Sequence, residues 1–354
     1  MFLCNLPIIQ NRRIRVAVVG AGRISQNHFN AIKVHEDDFE LVSICEIDSQ
    51  KHDELRVVHA VSLYADLGTM LKNESLDLII LCTPSGIHSK QAKMAASYGV
   101  NVVSEKPMAT SLKHGREMVD ACEKANVRLF IVKQNRLNGT LQLLKRAMDE
   151  NRFGKIHLVH LNVFWTRPQS YYDAGGGWRG TWEFDGGALM NQASHYVDLL
   201  DWLIGPVEKV NAMMSTTRQI EAEDTSVMNI KWRNGALGSL AVTMLTYPKN
   251  LEGSITILGE DGSVKVGGLA VNNIEHWEFR NVSDYDKDVL RANYNLESVY
   301  GHGHPVYYKN IIDVFRGDCE PLTDGREGLK SLELLIAAYR SARDGVTKGL
   351  PLDI

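Results

Sequence analysis

Apolar and polar positions in the first part of the chain alternate between two patterns. Short runs rich in Val, Ile and Leu predict strands, and longer segments with apolar residues at helical spacing separate them. The strand-like runs are IRVAVV, FELVSI, LDLIILC, VNVVSE and VRLFIVK; the helix-like segments are SQNHFNAIKVH, HSKQAKMAASYG and LKHGREMVDACEKA. This alternation, with strands apolar on both faces, predicts an α/β domain with a doubly wound parallel sheet of the Rossmann type.

The pattern changes in the second part, where strand-like runs follow one another with short turns between most of them. After a helical stretch near residues 140–152, these runs are KIHLVHLNVFWTR, VEKVNAMMSTT, DTSVMNIKW, GALGSLAVTMLTY, EGSITILG and GSVKVGG. Short connections predict an α+β domain with a large, mainly antiparallel open sheet. One face would pack on helices including 188–204, and the other, carrying Leu240, Val242 and Met244, would pair with another subunit.

The segment GGALMNQASHYVDLLDWLIG predicts a helix with two distinct faces. At about 100° per residue, Asn191, His195, Asp198 and Trp202 fall within roughly 60° of one another. The simplest interpretation of this polar line is an ordinary solvated face, and a functional cleft is the alternative.

Length and composition agree with two soluble domains. The 354 residues are 44% hydrophobic and 23% charged, and no apolar run approaches the ~20 residues that a membrane-spanning helix needs. The first segment, MFLCNLPIIQNRR, has its charges after its apolar part, opposite to a secretory signal, so we expect a cytoplasmic protein with no membrane contact. A net charge of −4 and the lack of a Lys/Arg tract argue against a nucleic-acid partner.

Cysteine and histidine spacing gives no disulfide or zinc motif. The cysteines are scattered, without a CxxC pair: Cys4, Cys45, Cys82, Cys122 and Cys319. We therefore expect buried or incidental thiols. His302 and His304 of GHGH lie two apart in a glycine-rich stretch with no partner carboxylates evident, so they are interpreted as loop residues and no metal is predicted.

A glycine-rich turn follows the first strand in VVGAGRIS. Gly20 and Gly22 occupy the first two places of a GxGxxG/A fingerprint, and Ser25 takes the third. The first glycine permits a tight turn, the second lets the backbone approach a pyrophosphate, and a small third residue allows close helix packing. Because a strand precedes and a helix follows, the sequence predicts a dinucleotide site, which includes Arg23 and Ile24.

An acidic residue at the end of the second strand indicates which dinucleotide binds. ICEID places Glu46 and Asp48 somewhat beyond the usual ~20-residue spacing for a ribose-binding acid. A carboxylate there accepts hydrogen bonds from a ribose 2′-hydroxyl and repels a 2′-phosphate, which favours NAD over NADP. Glu46 is the better candidate, because Asp48 is placed to start the next turn or helix.

Two further strand ends carry polar residues at the edge where ligands of parallel sheets bind. CTPSGIHS places Thr83 and His88 after one strand, and VVSEKPMAT places Glu105 and Lys106 after the next. His88 alone is equally compatible with a structural histidine. Lys106 lies between a buried strand and a proline, an unusual place for a solvated lysine. Partial desolvation beside a cationic nicotinamide ring would disfavour its ammonium form, which suits proton transfer.

Five segments carry motifs that occur together: VVGAGRIS, CTPSGIH, SEKPMA, WRGTWEFDGGALMNQASHYVDLLDWLIG and PLTDGREGLKSLELLIAAYRSARDG. Over nearly the whole chain they resemble the glucose-fructose oxidoreductase, inositol dehydrogenase and MocA-type (Gfo/Idh/MocA) oxidoreductases. Within that family, LFIVKQNR, NVFWTRPQSYYD and MLTYPKNLEGSITILGE look like the branch that oxidises UDP-N-acetylglucosaminuronic acid (UDP-GlcNAcA) at C3 in bacterial lipopolysaccharide and O-antigen pathways. The expected domains are 13–134 for NAD binding, 135–325 for substrate binding and oligomerisation, and 326–354 for a closing helix that packs back on the body.

The resemblance implies roles for residues already singled out. The family's EKP lysine matches Lys106, and its catalytic histidine matches His195, which would face a cleft. The family often has an aspartate four residues before that histidine, where this chain has Asn191. Because asparagine takes no proton at neutral pH, the base would be His195 or Lys106, and Asn191 would hydrogen-bond a sugar hydroxyl. The EKP peptide is commonly cis in the family, which would make Pro107 a positioning residue.

The implied reaction takes a proton from the C3 hydroxyl and passes hydride from C3 to nicotinamide. Lys106 and His195 would divide the roles of base and hydrogen-bond donor to the developing carbonyl oxygen. The substrate's carboxylate and diphosphate require cations; Arg167 and Arg179 are candidates, although each could simply stack on a neighbouring tryptophan. Weaker candidates for hydrogen bonds to sugar, nucleotide or nicotinamide are Gln134, Asn135, Trp178, Gln192 and Tyr308.

Two other functions stay open from the sequence. A dehydrogenase of a free sugar or inositol would have an uncharged substrate and no use for extra site arginines. An NAD-dependent sensor without turnover would have damaged catalytic positions, whereas Lys106 and His195 are intact. The expected partners are the UDP-sugar acid, 2-oxoglutarate for recycling NADH, an aminotransferase acting on the product, and further copies of the chain in a homo-oligomer, a dimer or tetramer.

Overall fold

The computed structural model describes residues 7–174, 176–295 and 303–353. The chain forms two compact units: unit 1 comprises Met1–Val132 and His304–Leu329, and unit 2 comprises Lys133–Gly303 and Lys330–Ile354. The sequence analysis expected domains at 13–134, 135–325 and 326–354, with all residues from 135 to 325 in one domain. An amphipathic pattern shows which face of a helix is buried without showing which core buries it, so the return of the chain to unit 1 was not predicted.

Unit 1 is built on a parallel sheet. Its strands are β1 (Ile14–Val19), β2 (Phe39–Cys45), β3 (Ser62–Tyr64), β4 (Leu78–Leu81), β5 (Asn101–Ser104) and β6 (Leu129–Ile131). Its connecting helices are α1 (Ser25–Val34), α2 (His52–His59), α3 (Leu67–Asn73), α4 (Ser85–Ser97) and α5 (Leu112–Lys124). The strands lie in the order β3-β2-β1-β4-β5-β6, and all neighbours are parallel. The predicted doubly wound parallel sheet is confirmed.

The central strands of this sheet are apolar because both of their faces are covered. Every residue of β4 is buried, and only Arg15 in β1 is partly exposed. The sequence analysis missed β3, α2 and α3, which are only three, eight and seven residues long.

Unit 2 contains an eight-stranded sheet. Its helices and strands begin with α6 (Gly139–Asp149), β7 (Ile156–Phe164), α7 (Gln169–Asp173), α8 (Ser194–Ile204), β8 (Val207–Ser215), β9 (Thr225–Trp232) and β10 (Leu237–Thr243). They continue with β11 (Glu252–Gly259), β12 (Gly262–Gly267), β13 (Asn273–Phe279), α9 (Val289–Ala292) and β14 (Lys348–Gly349). The order is β13-β12-β11-β7-β10-β9-β8-β14. Strands β7 and β10 pair in parallel and the other neighbours pair antiparallel, so the mainly antiparallel sheet is confirmed.

Two long helices close the chain, α10 (Gly303–Arg316) and α11 (Gly325–Asp344). Helix α11 lies where the resemblance implied a closing helix. No helix in the described ranges is long and apolar enough to cross a membrane.

The faces of the unit 2 sheet are the reverse of those predicted. Leu240, Val242 and Met244 are at most 1% exposed, so they belong to the protein's own core and the prediction that they line an open face is wrong. The opposite face carries the paired residues Leu237 and Leu158, which are 54% and 44% exposed. Alternation along a strand shows which residues share a face of the sheet, but it does not show which face is buried. In this sheet the more apolar face packs inward.

The described cysteines are all free thiols. Cys45, Cys82 and Cys122 are buried, and Cys319 is exposed; Cys4 lies outside the described residues. Burial raises the pKa of the Cys45 and Cys122 thiols to about 12, so both stay protonated at neutral pH.

Candidate active site

The glycine loop of unit 1 has the shape that a dinucleotide requires. Gly20 has φ +89°, and a Cβ there would lie 3.0 Å from Thr83 Cγ2 and 3.1 Å from the Cys82 carbonyl, so the turn accepts only glycine. A Cβ on Gly22 would meet no atom within 4 Å. The backbone at Gly22 is therefore open on the side from which a pyrophosphate would approach.

Helix α1 begins directly after this loop. Ser25 is fully buried, and its hydroxyl donates to the Gly22 carbonyl at 2.6 Å, which holds the loop against the helix. Among the described residues no side chain caps the first turn, and the Ser25 and Asn27 N–H groups donate to the Gly22 and Ile24 carbonyls at 3.2 and 3.1 Å. The positive end of the helix dipole at this turn favours an anionic ligand. In the same loop Arg23 is exposed and Ile24 is half-buried.

Glu46 joins the end of β2 to the glycine loop. Its Oε2 accepts from the Ala21 N–H at 2.7 Å, and its Oε1 accepts from the Asp48 N–H at 3.0 Å. Asp48 instead accepts from the Gln50 N–H at 3.1 Å and begins a short 3₁₀ turn. Each carboxylate oxygen of Glu46 has a second lone pair, so Glu46 remains the residue suited to a ribose hydroxyl.

His88 links two loops at the carboxyl edge of the sheet. Its Nε2 lies 2.7 Å from the Thr83 carbonyl and its Nδ1 lies 3.2 Å from the Pro107 carbonyl. Burial lowers the pKa of His88, so the neutral ring donates to one of these carbonyls. The hydroxyl of Thr83 donates to Gln91 at 2.5 Å. His88 thus holds backbone together, which differs from the cofactor contact expected from the sequence.

Lys106 is half-buried at the end of β5, next to the buried Glu105. The Lys106–Pro107 peptide is cis, as the EKP motif predicted. Glu105 turns its side chain inward, where Oε1 lies 3.0 Å from His28 Nε2 and 3.4 Å from His304 Nε2. Burial opposes ionisation, but the hydrogen bonds from these two histidines hold the pKa of Glu105 well below its usual range.

His304 and Tyr308 differ from the sequence interpretation. His304 is 3% exposed in the first turn of α10, so the prediction that it is a loop residue is wrong. His302 lies outside the described residues. Tyr308 is fully buried and its hydroxyl lies 2.7 Å from His28 Nδ1, so it packs within this cluster, in contrast to the cofactor contact that the sequence suggested.

In unit 2 the segment expected to be one helix from 188 to 204 has two parts. Ala188–Gln192 form a π-helical turn, in which the Ala193 N–H donates to the Ala188 carbonyl at 2.9 Å, and α8 follows. The extra residue in the turn changes the angle between Asn191 and His195, so they do not continue one α-helical face. Asn191 donates from Nδ2 to Asp185, and His195 is 8% exposed with Nε2 3.2 Å from Gln134 Nε2.

Asp198, the next residue of the polar line, forms buried ion pairs. It is 3% exposed and accepts two hydrogen bonds from Arg136, at 2.6 and 2.7 Å. Lys133 Nζ lies 3.3 Å from Asp198 and donates to Ser331 at 2.6 Å. These bonds fasten the 3₁₀ turn Gln134–Leu137 to α8, and this turn carries Gln134 to His195. The interpretation as a solvated face is wrong for Asp198.

Trp202 completes the line at a half-buried position. The Arg136 guanidinium lies 5.3 Å and Lys145 Nζ 5.8 Å from its ring centroid, which is the range of cation–π contacts. Trp202 therefore contacts the same Arg136 side chain that is hydrogen-bonded to Asp198.

Two half-buried arginines approach one aromatic ring in unit 2. The Arg167 and Arg179 guanidinium carbons lie 5.5 and 4.4 Å from the Tyr171 ring centroid. Arg167 donates to Gln192 Oε1 at 2.8 Å, and Arg179 donates to the Tyr171 carbonyl at 2.7 Å. Arg179 Nε has no hydrogen-bond partner among the described residues. Trp165 and Trp178 lie 5.5 and 5.4 Å from these two guanidiniums, so the stacking expected from the sequence is present as well.

Gln134 and Asn135 also lie in buried positions of unit 2. Gln134 Oε1 and Asn135 Oδ1 lack hydrogen-bond partners within the described ranges. A buried amide oxygen without a donor is costly, so these two atoms are suited to accept from a ligand.

Sequence reasoning missed several residues that shape these sites: His28, Tyr171, Asp185, Arg136 and Glu223. His28 lies on the buried face of α1, where a histidine in an otherwise apolar stripe is a signal that could have been noticed. Arg136, Tyr171 and Asp185 lie in segments quoted for the family resemblance, which assigned these residues no role. Their roles depend on contacts between residues distant in sequence.

Glu223 anchors the π-helical turn and titrates near neutrality. Its Oε1 accepts from the Leu189 N–H at 2.8 Å and from the Tyr339 hydroxyl at 3.0 Å, and Oε2 has no partner among the described residues. Burial raises its pKa to about 7, from 4.5 for an exposed glutamate. The proton therefore resides on Oε2 in the folded state at mildly acidic pH.

Glu223→Gln is expected to change how stability depends on pH. The folded pKa is raised, so the stability of the wild-type protein is fully present below about pH 4.5 and is lost as the pH rises through about 7. The loss amounts to roughly 3 kcal/mol. Glutamine keeps both acceptor contacts without titrating, so its melting temperature should exceed that of the wild type at pH 8 and approach it at pH 5. If the melting temperatures of the two proteins changed with pH in the same way across this range, the raised pKa of Glu223 would be contradicted.

Two parts of the chain match models of one oxidoreductase family. Residues 14–133 match the family model for the NAD-binding Rossmann fold of the Gfo/Idh/MocA oxidoreductases, and residues 145–350 match the model for their C-terminal alpha/beta domain. Similar curated proteins include D-apiose dehydrogenase of Paraburkholderia graminis, 26% identical over 349 residues (95% of this chain, 89% of that protein). Myo-inositol 2-dehydrogenase of Thermotoga maritima is 25% identical over 342 residues (94% and 97%).

Two solved structures are more similar. The WlbA dehydrogenase from Chromobacterium violaceum, in complex with NADH and UDP-GlcNAcA, has 58% identity and a TM-score of 0.95, with 99% of each chain covered. The WlbA dehydrogenase from Bordetella pertussis, in complex with the same two ligands, has 58% identity and a TM-score of 0.95, covering 98% of this chain and 100% of that one.

Proposed function

The chain belongs to the Gfo/Idh/MocA oxidoreductase family, and from that premise we propose that it oxidises the C3 hydroxyl of UDP-GlcNAcA to the 3-keto sugar with NAD. The observation that carries the substrate assignment is the pair of half-buried guanidiniums of Arg167 and Arg179 beside Tyr171.

The charge of this pair points to an anionic substrate. Within the described residues, neither Arg167 nor Arg179 forms an ion pair with a carboxylate, so two positive charges are concentrated without compensation from the protein. Partly buried cations are stabilised when an anion binds them, and guanidinium forks suit carboxylate and phosphate oxygens. UDP-GlcNAcA supplies a carboxylate and a diphosphate, whereas a free sugar or inositol supplies neither. Two relatives at 58% identity were crystallised with this nucleotide sugar.

Unit 1 fits the cofactor through residues of this chain. Gly20 and Gly22 shape the loop, the start of α1 presents backbone N–H groups to the pyrophosphate, and Glu46 is placed for the ribose. NAD, when bound, supplies the acceptor of the hydride from C3.

Proton transfer falls to Lys106 and His195 in this proposal. Lys106 follows β5 at the edge where such sheets bind ligands, and a lysine there can take or give a proton. His195 Nε2 faces the Gln134 amide, which fixes the orientation of the ring. One of the two groups accepts the C3 hydroxyl proton and the other stabilises the developing carbonyl oxygen. Asn191 and Gln192, near the start of α8, would hydrogen-bond sugar hydroxyls.

The wider context is also part of the proposal. The product would pass to an aminotransferase in lipopolysaccharide or O-antigen sugar synthesis in the cytoplasm, and 2-oxoglutarate would reoxidise NADH. The half-exposed apolar side chains of Leu158 and Leu237 support a homo-oligomer formed through the open face of the unit 2 sheet. Molar mass measured in solution by light scattering tests this last point.

The test of function is a substrate comparison. Purified protein would be mixed with NAD and UDP-GlcNAcA, with and without 2-oxoglutarate, and NADH and the 3-keto product would be measured by absorbance and mass spectrometry. Myo-inositol, D-apiose and UDP-N-acetylglucosamine serve as uncharged or carboxylate-free comparisons. Turnover of UDP-GlcNAcA alone is expected; turnover of a neutral sugar in its place would overturn the proposal.

Arg167→Ala and Arg179→Ala are each expected to raise KM for UDP-GlcNAcA at least about tenfold, because each removes a charge-assisted hydrogen bond of roughly 1.5–3 kcal/mol. KM for NAD should not change. Arg→Lys variants should fall between alanine and wild type, since lysine keeps the charge without the planar fork. Arg280→Ala, which alters an exposed ion pair of the same unit, is the matched control. An unchanged KM in both alanine variants would argue for an uncharged substrate.

A further inference from the structure

Glu105 makes hydrogen bonds in two directions at the start of the EKP segment. Its Oε2 accepts from the backbone N–H of Lys106 at 3.0 Å. Its Oε1 lies 3.0 Å from His28 Nε2 and 3.4 Å from His304 Nε2. One carboxylate thus connects the Lys106 amide to side chains from α1 and α10.

The chemistry of this cluster fixes the direction of its hydrogen bonds. A carboxylate only accepts, so both histidines present Nε2–H to Glu105. His28 is fully buried, and burial lowers its pKa, so its Nδ1 is an acceptor for the Tyr308 hydroxyl at 2.7 Å. The bonds therefore run from Tyr308 to His28 and from His28 and His304 to Glu105, which accounts for each of these polar contacts.

The position of the cluster relates it to the reaction. Helix α1 begins at the glycine loop, and Lys106 lies two residues after the end of β5, so His28 and Glu105 connect the helix behind the cofactor loop to the backbone of the lysine. His88 Nδ1 lies 3.2 Å from the Pro107 carbonyl, but the neutral ring has a single N–H and the Thr83 carbonyl is nearer, at 2.7 Å, so His88 is not counted as a second attachment. The backbone N–H of the lysine is held through Glu105.

The same three side chains, His28, Glu105 and His304, could also hold a metal ion, because one ligand atom from each lies within 4.8 Å of the others. Hydrogen bonds nevertheless account for the observed distances of 3.0 and 3.4 Å without an ion. All three side chains are at most 5% exposed, which leaves little access for the water that a catalytic metal usually carries.

We propose that Glu105, His28 and His304 are positioning residues that hold Lys106 in its reactive orientation, with Tyr308 fixing His28. The proposal rests on the function given above. Loss of the cluster would leave the lysine present but displaced, so that the chemical step slows while substrate and cofactor still bind.

The test compares two replacements of His304. His304→Leu removes the N–H donor, whereas His304→Gln keeps an N–H at a similar reach. We expect His304→Leu to lower kcat about 10- to 100-fold with KM for UDP-GlcNAcA within twofold and the Kd of NADH within threefold. His304→Gln should restore most of the rate. His114→Leu, at an exposed position of α5, is the matched control and should behave as wild type.

Hydrogen exchange gives a readout that needs no substrate. Mass spectrometry of a peptide spanning residues 104–108 should show the Lys106 amide exchanging at least about tenfold faster in His304→Leu than in wild type, because its acceptor Glu105 loses one of its two histidine donors. If the wild-type protein does not turn over UDP-GlcNAcA, the proposed function is refuted and the positioning role is not. Unchanged exchange, or unchanged kcat, in His304→Leu would refute the positioning role.

Two further measurements complete the test. If His304→Leu does not fold, Tyr308→Phe removes only one hydroxyl and should shift kcat and Lys106 exchange in the same directions, by about two- to fivefold. Metal content is measured on purified wild-type protein by plasma mass spectrometry. About one transition-metal ion per chain, lost in His304→Leu, would overturn the assignment of this cluster as hydrogen bonds alone.

Discussion

Lys106→Ala is expected to reduce hydride transfer from UDP-GlcNAcA by roughly 10²- to 10⁴-fold, the range for loss of a general acid or base. The alanine removes the amine that, in the proposed reaction, exchanges the proton of the C3 hydroxyl or stabilises the carbonyl oxygen. The glycine loop, α1 and Glu46 are untouched, so NADH should bind with nearly unchanged Kd in a fluorescence titration. Single-turnover absorbance at saturating NAD and UDP-GlcNAcA measures the step itself.

Two companion variants make this result specific to the amine. Lys106→Arg keeps the charge, but guanidinium does not give up its proton near neutral pH, so its rate should stay within about tenfold of the alanine variant. Lys90→Ala, at an exposed position of α4, should retain full activity. If Lys106→Ala kept more than about a tenth of the wild-type rate, Lys106 would be removed from proton transfer and His195 would become the sole base of the proposed mechanism.

Asp198→Ala is expected to cause the largest loss of stability among single substitutions in unit 2. Arg136 and Asp198 are 9% and 4% exposed in their side chains, and Lys133 is 4% exposed. The two cations hold the pKa of Asp198 below its usual range even though burial opposes this. Removing the carboxylate takes away the buried negative charge that both cations share, at a cost of about 3–5 kcal/mol. The melting temperature should fall by about 10 °C for a unit of this size.

An exposed ion pair serves as a control, because it distinguishes the effect of burial on stability from the effect of charge pairing. Arg146 donates to Glu150 at 2.8 Å with side chains 56% and 42% exposed, and Glu150→Ala should leave the melting temperature unchanged within error. The double variant Arg136→Met/Asp198→Leu should recover part of the loss, because it also removes one unpaired charge. If the melting temperature of Asp198→Ala equalled that of wild type, this would show that water reaches Asp198, Arg136 and Lys133.

Asp198→Ala should affect the reaction as well. The Arg136–Asp198 bonds hold the 3₁₀ turn that brings Gln134 to His195, so the ring would lose a fixed neighbour. We expect kcat to fall in this variant even at temperatures where it remains folded, which circular dichroism would establish.

Most of the first unit was predictable because its signals are local. The strands β1, β2, β4, β5 and β6 are continuous apolar runs, and a run of this kind is read from the residues themselves. The glycine loop was predictable for the same reason: Gly20 needs φ +89° whatever packs on it, and only glycine adopts that angle readily. Glu46 and Lys106 followed from their places at strand ends.

The polar line on the helix near His195 was predicted less well. Regular α-helical spacing placed Asn191, His195 and Asp198 on one face, but a π-helical turn intervenes. That turn is held by Glu223, whose carboxylate comes from a segment more than 30 residues away and accepts from Leu189. No pattern within the helix contains this information.

The sequence by itself determined the two sheets, the dinucleotide loop and the family to which the chain belongs, because short-range periodicity and glycine geometry specify them. Only the tertiary structure decided which face of the second sheet is buried, that His304 and Tyr308 join His28 around Glu105, and that Asp198 is half of an ion pair. The physical reason is the same in each case. Burial and hydrogen-bond partners depend on residues brought together from distant parts of the chain, and a side chain's role changes with the partner it meets.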